Sequence, residues 1–304
     1  MSHRRAIGLV LLSAAGFGSL ALFASGAYAS GVTPSTLLAL RFTLAVALLA
    51  PLVWLRGLSL PRGRDLAGYM LMGGLFTAQA QGYFNALLHA SSGLVALLLY
   101  VYPLLVTVLS VALGWETWSR RMLVLLAMAS GGMAITLGGK LQGEPIGIAL
   151  GLLAAGIYAV YILLGTHLGR SRQATHPLSA SVVIFATAAV LNGALAVSNG
   201  VALPNAASGW LAIGCIALFS TAMANVCFLA GVERIGAARA SIVSSCEPVL
   251  TIGLGFGLLH ESVSASQMLG GALVLLAVTL LAQRAPAAAP VLPDLADGMA
   301  KGSA

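Results

Sequence analysis

Ten long apolar runs, separated by short breaks of polar residues, Gly or Pro, make up most of the chain. Each run is close to the ~20 residues that an α-helix needs to cross the hydrocarbon core of a bilayer. Backbone inside that core must satisfy its own hydrogen bonds, which favours helices for segments of this length. We place the runs at residues 6–26, 34–55, 66–89, 92–114, 120–138, 146–168, 178–198, 209–232, 237–259 and 265–283. The sequence therefore predicts an all-α integral membrane protein with ten transmembrane helices.

Composition and charge exclude two other classes of protein. Hydrophobic residues make up 59% of the 304 and charged residues 8%, whereas a soluble domain has about 25% charged residues. The net charge of +7 does not predict a nucleic-acid-binding protein, because the basic residues are scattered through short loops instead of forming one patch. The lipid bilayer is the expected environment, and no nucleic acid is an expected partner.

The basic residues also predict the orientation. With ten helices and a cytoplasmic N-terminus, all of the 15 Lys and Arg residues except Lys140 and Arg41 fall on the cytoplasmic side. Lys140 falls outside, and Arg41 lies within the second helix. Both termini are therefore predicted to be cytoplasmic.

The first run imitates a secretory signal peptide, since it follows Arg4 and Arg5 and ends near Ala27, Tyr28 and Ala29. It is longer than a typical signal core. The pattern at 13–18 is also echoed at 153–158, in the sixth helix. We therefore expect it to be retained as the first helix.

An internal repeat divides the chain. Three residues of one half recur 145 positions later: Pro103, Glu116 and Ser119 match Pro248, Glu261 and Ser264. Residues 1–140 and 141–283 would each hold five helices, and an odd number inverts the second half relative to the first, an architecture common in secondary transporters. Residues 284–304 have too little apolar mass to pack and are expected to form a disordered cytoplasmic tail.

The repeated residues have distinct physical roles. Pro103 and Pro248 should kink the fourth and ninth helices and act as hinges, because proline removes a backbone donor and clashes with the preceding turn. Glu116 and Glu261 mark the ends of these helices. They are either structural polar residues of the connecting loops or residues with a role in transport. Ser264 and Gln267 are spaced as a capping box.

The chain resembles the drug/metabolite transporter superfamily, and within it the ten-helix EamA-type members. The resemblance covers the chain to about residue 283 and is carried by 40–42 (Leu-Arg-Phe), Pro103 with Glu116, Pro248 with Glu261, and 270–271 (Gly-Gly). It implies an inner-membrane carrier of small molecules. The tyrosine-rich, weakly charged core looks most like the branch that exports aromatic and other amino acids. The halves differ at one point, where Tyr102 and Glu247 precede the two prolines.

Polar side chains inside spans usually face the bundle interior, where they bind substrate or bond to neighbouring helices. Hydroxyls, amides and rings suit an amphipathic zwitterion. The candidate substrate-binding residues are Gln79, Tyr83, Tyr100, Tyr102, Tyr158, Asn225, Ser244 and Glu247. Tyr161 is instead expected to lie in the interfacial belt near the cytoplasmic end.

Two charged residues inside spans have alternative roles. Glu247 is suited to attracting a substrate ammonium or to titrating during transport, and its alternative is a hydrated structural position. Arg41 would neutralise a substrate carboxylate, pair structurally, or extend outward to the membrane surface.

Other activities have less support. We find no catalytic motif of an intramembrane enzyme, so no enzyme activity is expected. Neither the cysteines nor His89, His167, His176 and His260 have ligand spacing, and neither a metal nor a cofactor is expected.

A carrier of anionic metabolites such as nucleotide sugars and a passive channel remain alternatives. The GxxxG spacings at 147–151 and 253–257 do not establish a dimer, and a monomer is the simplest state.

Overall fold

The structure is a computed structural model that describes residues 3–86, 89–90, 92–137, 143–169, 175–259 and 264–282. Nearly all of these residues are helical. The helices are α1 His3–Gly18, α2 Leu20–Ala29, α3 Pro34–Leu55, α4 Gly63–Ala86, α5 Ser92–Leu99, α6 Tyr102–Ala112, α7 Arg120–Leu137, α8 Pro145–Gly169, α9 Pro177–Asn199, α10 Ala207–Cys215, α11 Ala224–Ile235, α12 Ala237–Ser244, α13 Glu247–Leu259 and α14 Ala265–Ala282. A π-helical segment, Ile216–Met223, joins α10 to α11.

Helix is present in each of the ten predicted segments, and six helical stretches of the described residues are long and apolar enough to cross a bilayer. These are His3–Ala29, Pro34–Leu55, Leu94–Ala112, Pro145–Gly169, Pro177–Asn199 and Ala207–Ile235. Large apolar side chains cover the outer surface, among them Trp54 and Val197, which are 80% and 74% exposed. Such a surface suits a lipid environment. The number of ten spans and the cytoplasmic termini stay predictions, and residues 284–304 and Glu261 lie outside the described residues.

The helices that contain the repeated prolines are both interrupted. The α5–α6 break covers residues 100–101, directly before Tyr102 and Pro103. The α12–α13 break covers residues 245–246, directly before Glu247 and Pro248. A helix is expected to break there because proline lacks the N–H that would bond to the preceding turn. The interruptions predicted at the two prolines are thus observed, whereas their action as hinges is a proposal.

Four helix pairs dominate the packing: α3 with α9, α7 with α14, α4 with α8, and α1 with α11. The α7–α14 contact is close because glycines meet there. A Cβ added to Gly270 would overlap the Gly132 carbonyl oxygen. Small residues at crossings of this kind let helix backbones approach within a membrane.

The capping box predicted at the start of α14 is confirmed. The Ser264 backbone N–H donates to Gln267 Oε1 at 2.9 Å, and the Gln267 N–H donates to Ser264 Oγ at 3.3 Å. These two bonds satisfy backbone donors that the first turn of a helix leaves free.

Candidate substrate site

The two interrupted helices touch each other beside their breaks. Tyr102 is buried, and its hydroxyl donates a long hydrogen bond of 3.5 Å to the Ser241 carbonyl of α12. The Tyr102 side chain is also within hydrogen-bonding range of Ser244. Ser245 Oγ donates to the same Ser241 carbonyl at 3.2 Å. The break in the first half of the chain therefore contacts the helix that is broken in the second half.

Glu247 lies at this junction, at the first position of α13, and is partly buried. Its carboxylate is within hydrogen-bonding range of the Tyr100 side chain. Tyr83, Tyr102 and Tyr158 are close enough to interact with it electrostatically. These tyrosines belong to α4, the α5–α6 junction and α8, and phenol hydroxyls are able to donate to a carboxylate.

A continuous series of ring contacts, which we call the aromatic row, leads away from Glu247. The ring centroids of Tyr100 and Tyr102 are 6.2 Å apart, and those of Tyr102 and Tyr158 are 4.8 Å apart in an edge-on arrangement. Tyr158 stacks on Tyr161 at 5.9 Å, and Tyr161 stacks on Phe76 at 5.4 Å. These separations are typical of favourable aromatic pairs. The row provides apolar faces with hydroxyl groups at their edges.

Tyr161 does not lie in an interfacial belt, and that expectation is wrong. The residue is 1% exposed, and its hydroxyl donates to Asn225 Oδ1 at 2.7 Å. Asn225 Nδ2 in turn donates to Ser181 Oγ at 3.0 Å. The buried amide supplies both the acceptor and the donor that hold α8, α9 and α11 together, and these bonds keep Tyr161 inside the bundle.

The other predicted site residues divide into those near Glu247 and those apart from it. Gln79 is partly buried in α4 and makes no side-chain hydrogen bond to the described residues. Its neighbour Gln81 donates to Asn192 Oδ1 at 3.3 Å, and Asn192 Nδ2 donates to Thr77 Oγ1 at 3.1 Å. Asn225 reaches the aromatic row through Tyr161. The sequence offered no way of pairing Asn192 or Ser181 with their partners, because the contacts join distant segments.

Arg41 points into the protein and does not extend to the membrane surface. It is 6% exposed. Its guanidinium carbon lies 4.4 Å from the Phe42 ring centroid and 5.9 Å from that of Phe76. Phe42 also contacts Phe76 and Phe185, with centroids 5.6 Å and 5.8 Å apart. The outward position considered for Arg41 is therefore excluded.

Among the residues that the structure describes, two ion pairs join the halves of the chain. Arg239 Nη1 lies 3.2 Å from Glu116 Oε1, and both side chains are about three-quarters buried, at 24% and 23% exposure. His89 Nδ1 lies 3.0 Å from Glu144 Oε2, where the side chains are 39% and 68% exposed. The Glu116 carboxylate, part of the internal repeat, thus contacts the other half directly.

The described residues contain no group of three or more His, Cys, Asp or Glu side chains that could hold a metal ion. A family model described as "EamA-like transporter family" matches the chain twice, over residues 4–138 and 145–283. The chain belongs to the EamA-like transporter family. It is therefore a membrane transporter, and its apolar helices make it a multi-pass protein of the inner membrane.

Curated relatives of this EamA-like transporter carry the same broad description. It is 28% identical over 273 residues to the uncharacterized inner membrane transporter YedA of Escherichia coli K12. The alignment covers 86% of this chain and 87% of the relative. It is also 28% identical over 282 residues to the uncharacterized transporter YcbK of Bacillus subtilis, with the same shares covered. Neither name gives a substrate, so the amino-acid exporter branch stays a prediction.

A solved crystal structure has the same fold. It superimposes on this EamA-like transporter with a TM-score of 0.78 and covers 93% of this chain and 100% of its own. The two sequences are 23% identical. At this identity the likeness concerns the fold alone.

Proposed function

We propose that this EamA-like transporter exports amino acids with aromatic or other hydrophobic side chains, together with related small metabolites, by alternating access. The observation that carries the proposal is Glu247, placed among tyrosines where the two interrupted helices meet. Discontinuous helices at the contact between two repeats are a common setting for substrate sites in secondary transporters.

The chemistry of this site suits an amino acid. An ammonium group is attracted by the Glu247 carboxylate through charge-assisted hydrogen bonds. It is attracted as well by the faces of nearby tyrosine rings. The aromatic row offers ring faces to a hydrophobic side chain, as in the 4.8 Å contact of Tyr102 with Tyr158. One site thereby binds a charged end and an apolar end of the same small molecule.

The packing supports two inverted repeats. If the first five segments correspond in order to the last five, α3 is equivalent to α9 and α7 to α14, and these are the pairs that pack together. The same correspondence relates the α4–α8 contact to the α1–α11 contact. A two-fold axis in the membrane plane accounts for this pairing, because it maps each contact onto itself or onto another contact.

In this proposal the ends of the bundle open in turn. The Glu116–Arg239 pair would lie at the cytoplasmic end and the His89–Glu144 pair at the other. Pro103 and Pro248 allow the outer parts of their helices to move relative to the inner parts. Opening one end breaks its ion pair while the other end stays closed.

A carrier of anionic metabolites is the second candidate, and the observation in its favour is Arg41. This buried guanidinium has no acidic partner among the described residues. A nucleotide sugar or a phosphorylated compound carries more negative charge than one arginine neutralises, so the amino-acid proposal fits the charges better.

The test is uptake of radiolabelled solutes into proteoliposomes, with and without a proton gradient. We expect saturable uptake of phenylalanine, tyrosine, tryptophan and leucine above that of protein-free vesicles, and little uptake of nucleotide sugars. Saturable uptake of nucleotide sugars with none of any amino acid would replace the first candidate by the second.

A further inference from the structure

The two ion pairs found among the described residues differ in their cations. Arg239, which pairs with Glu116, carries a guanidinium that keeps its charge at every physiological pH. His89, which pairs with Glu144 at 3.0 Å, carries an imidazole. Histidine gains or loses its charge between about pH 5 and 8. One pair is therefore permanent in charge, whereas the charge of the other depends on pH.

Backbone contacts hold His89 and Glu144 together. The Glu144 N–H donates to the His89 carbonyl oxygen at 2.8 Å, and Ala90 forms an antiparallel bridge with Gly143. A Cβ added to Gly147 would lie 2.9 Å from the His89 carbonyl carbon, so α8 begins directly against this residue. We call residues 89–90 and 143–144 the outer latch. Its fixed backbone lowers the entropy cost that usually makes exposed ion pairs weak.

The outer latch joins two helices of the candidate site. His89 follows α4, which carries Tyr83, and Glu144 precedes α8, which carries Tyr158. These two helices pack against each other along the bundle. In the predicted orientation the latch lies at the end opposite the Glu116–Arg239 pair. A change in the latch therefore acts on α4 and α8 at the outer end of the proposed path.

The charged surroundings of His89 are simple. Glu144 is the ionisable group that its ring contacts among the described residues. Lys140, the basic residue nearest to Glu144 in the sequence, lies outside the described residues. A neutral imidazole keeps the hydrogen bond to the carboxylate, and a protonated one adds the attraction between opposite charges. Acid therefore strengthens the outer latch.

We propose that His89 is a pH sensor that favours closure of the outer end in acid, so that the external pH regulates transport. The proposal rests on the alternating access of the proposed function and adds a regulation of it. The competing explanation is a structural pair that only fixes the connection between the two halves.

The first experiment measures phenylalanine counterflow at about pH 5.5 and about pH 7.5, equal on both sides of the membrane. The variants are His89→Gln, which has no titratable ring, and His89→Lys, which keeps a positive charge at both values. Titration elsewhere, including at Glu247, is common to all the proteins, so each rate is divided by that of His89→Gln. We expect this ratio for the wild type to be about two- to fivefold lower in acid, the size of effect expected for an exposed pair.

The other variants bracket the wild type. His89→Lys should be slow at both pH values, and Glu144→Gln should behave like His89→Gln because it removes the partner charge. A wild-type ratio that does not change with pH, or a His89→Lys rate equal to that of His89→Gln at both values, would overturn the sensor. The proposed function would still stand, since phenylalanine would be carried.

A second experiment needs no transported solute. Hydrogen exchange is compared between the two pH values, with His89→Gln as the reference for the ordinary effect of pH on exchange. It follows the Glu144 amide, bonded to the His89 carbonyl, and the Trp115 amide, bonded to the Ser110 carbonyl beside the other ion pair. We expect acid to raise protection at Glu144 and to lower it at Trp115, because closing one end favours opening of the other. Protection that changes at Glu144 alone, or at neither amide, would overturn the proposal.

Discussion

Glu247 and Arg41 are charged side chains placed deep within apolar segments, and their surroundings differ. Glu247 has tyrosine hydroxyls as its neighbours, so protein groups can solvate its carboxylate. Arg41 has phenylalanine ring faces and an Nε without a partner. The first group has possible hydrogen-bond partners beside it, whereas the second has a buried Nε–H that the ring faces do not accept.

Glu247→Gln tests the ammonium site. The amide removes the charge and retains the shape, so we expect the KM for phenylalanine to rise about tenfold or more, as charge-assisted hydrogen bonds are lost. Proteoliposome uptake measures the effect. The control is Asp65→Asn, which changes a partly exposed carboxylate in the first turn of α4. An unchanged KM in Glu247→Gln would remove this residue from the site.

Tyr161→Phe tests the buried network. Loss of the hydroxyl leaves Asn225 Oδ1 without its 2.7 Å donor, and we expect the free energy of unfolding to fall by about 1 kcal/mol. Thermal unfolding in detergent measures it. Tyr158→Phe is the matched control, since no hydrogen bond of the Tyr158 hydroxyl to another described residue is present. Equal effects of the two substitutions would show that the Tyr161–Asn225 bond contributes nothing specific.

At the scale of elements, we expect movement at the breaks of the interrupted helices to determine the rate of transport. Pro248→Ala restores a backbone donor and favours a continuous helix across residues 245–246. We expect the transport kcat to fall several-fold while KM changes little, because the site stays intact and the conformational change slows. Pro51→Ala is the control, since Pro51 lies inside the continuous helix α3. A kcat equal to that of wild type would argue against a hinge at Pro248.

The α7–α14 crossing depends on glycine at one position and not at the next. A Cβ at Gly132 would lie 2.7 Å from the Gly270 carbonyl oxygen, whereas at Gly131 nothing lies within 4 Å. Gly132→Val should therefore destabilise the protein by about 1–3 kcal/mol through overpacking. Gly131→Val should have little effect on thermal unfolding. Equal unfolding temperatures of the two variants would contradict a requirement for glycine at position 132.

The sequence predicted helix positions well because apolar length and proline are local signals. It located the breaks before Pro103 and Pro248 and the capping box at Ser264, which depend on residues a few positions apart. It placed Tyr161 wrongly, and it missed the π-helical segment Ile216–Met223. A helix that is apolar on all sides carries little information about which side faces protein, so contacts such as Tyr161 with Asn225 depend on the packing of distant segments.

The grouping of several candidate site residues was predicted, while their role in binding stays a proposal. Tyr100, Tyr102, Tyr158 and Glu247 are together, because uncommon polar residues in apolar helices tend to face the bundle interior. The inward position of Arg41 was one of several alternatives, since a long side chain near a helix end reaches either direction. The structure resolves it through the ring contacts with Phe42 and Phe76.

At the scale of the whole molecule, we propose two five-helix units that exchange access to one site. The packing pairs α3–α9 and α7–α14 lie where a two-fold axis would place them. Each of the two ion pairs joins one unit to the other. In a carrier built in this way the site must return to its starting side after each transfer, either empty or loaded with another solute, while a channel has no such step.

Counterflow of phenylalanine tests this central claim most directly. Proteoliposomes are loaded with unlabelled phenylalanine, and the initial entry of labelled phenylalanine is compared with entry into unloaded vesicles. Alternating access predicts faster entry into the loaded vesicles, with transient accumulation of label above its external concentration. Entry that internal amino acid does not accelerate, for every amino acid that the protein admits, would contradict the account and indicate a passive channel.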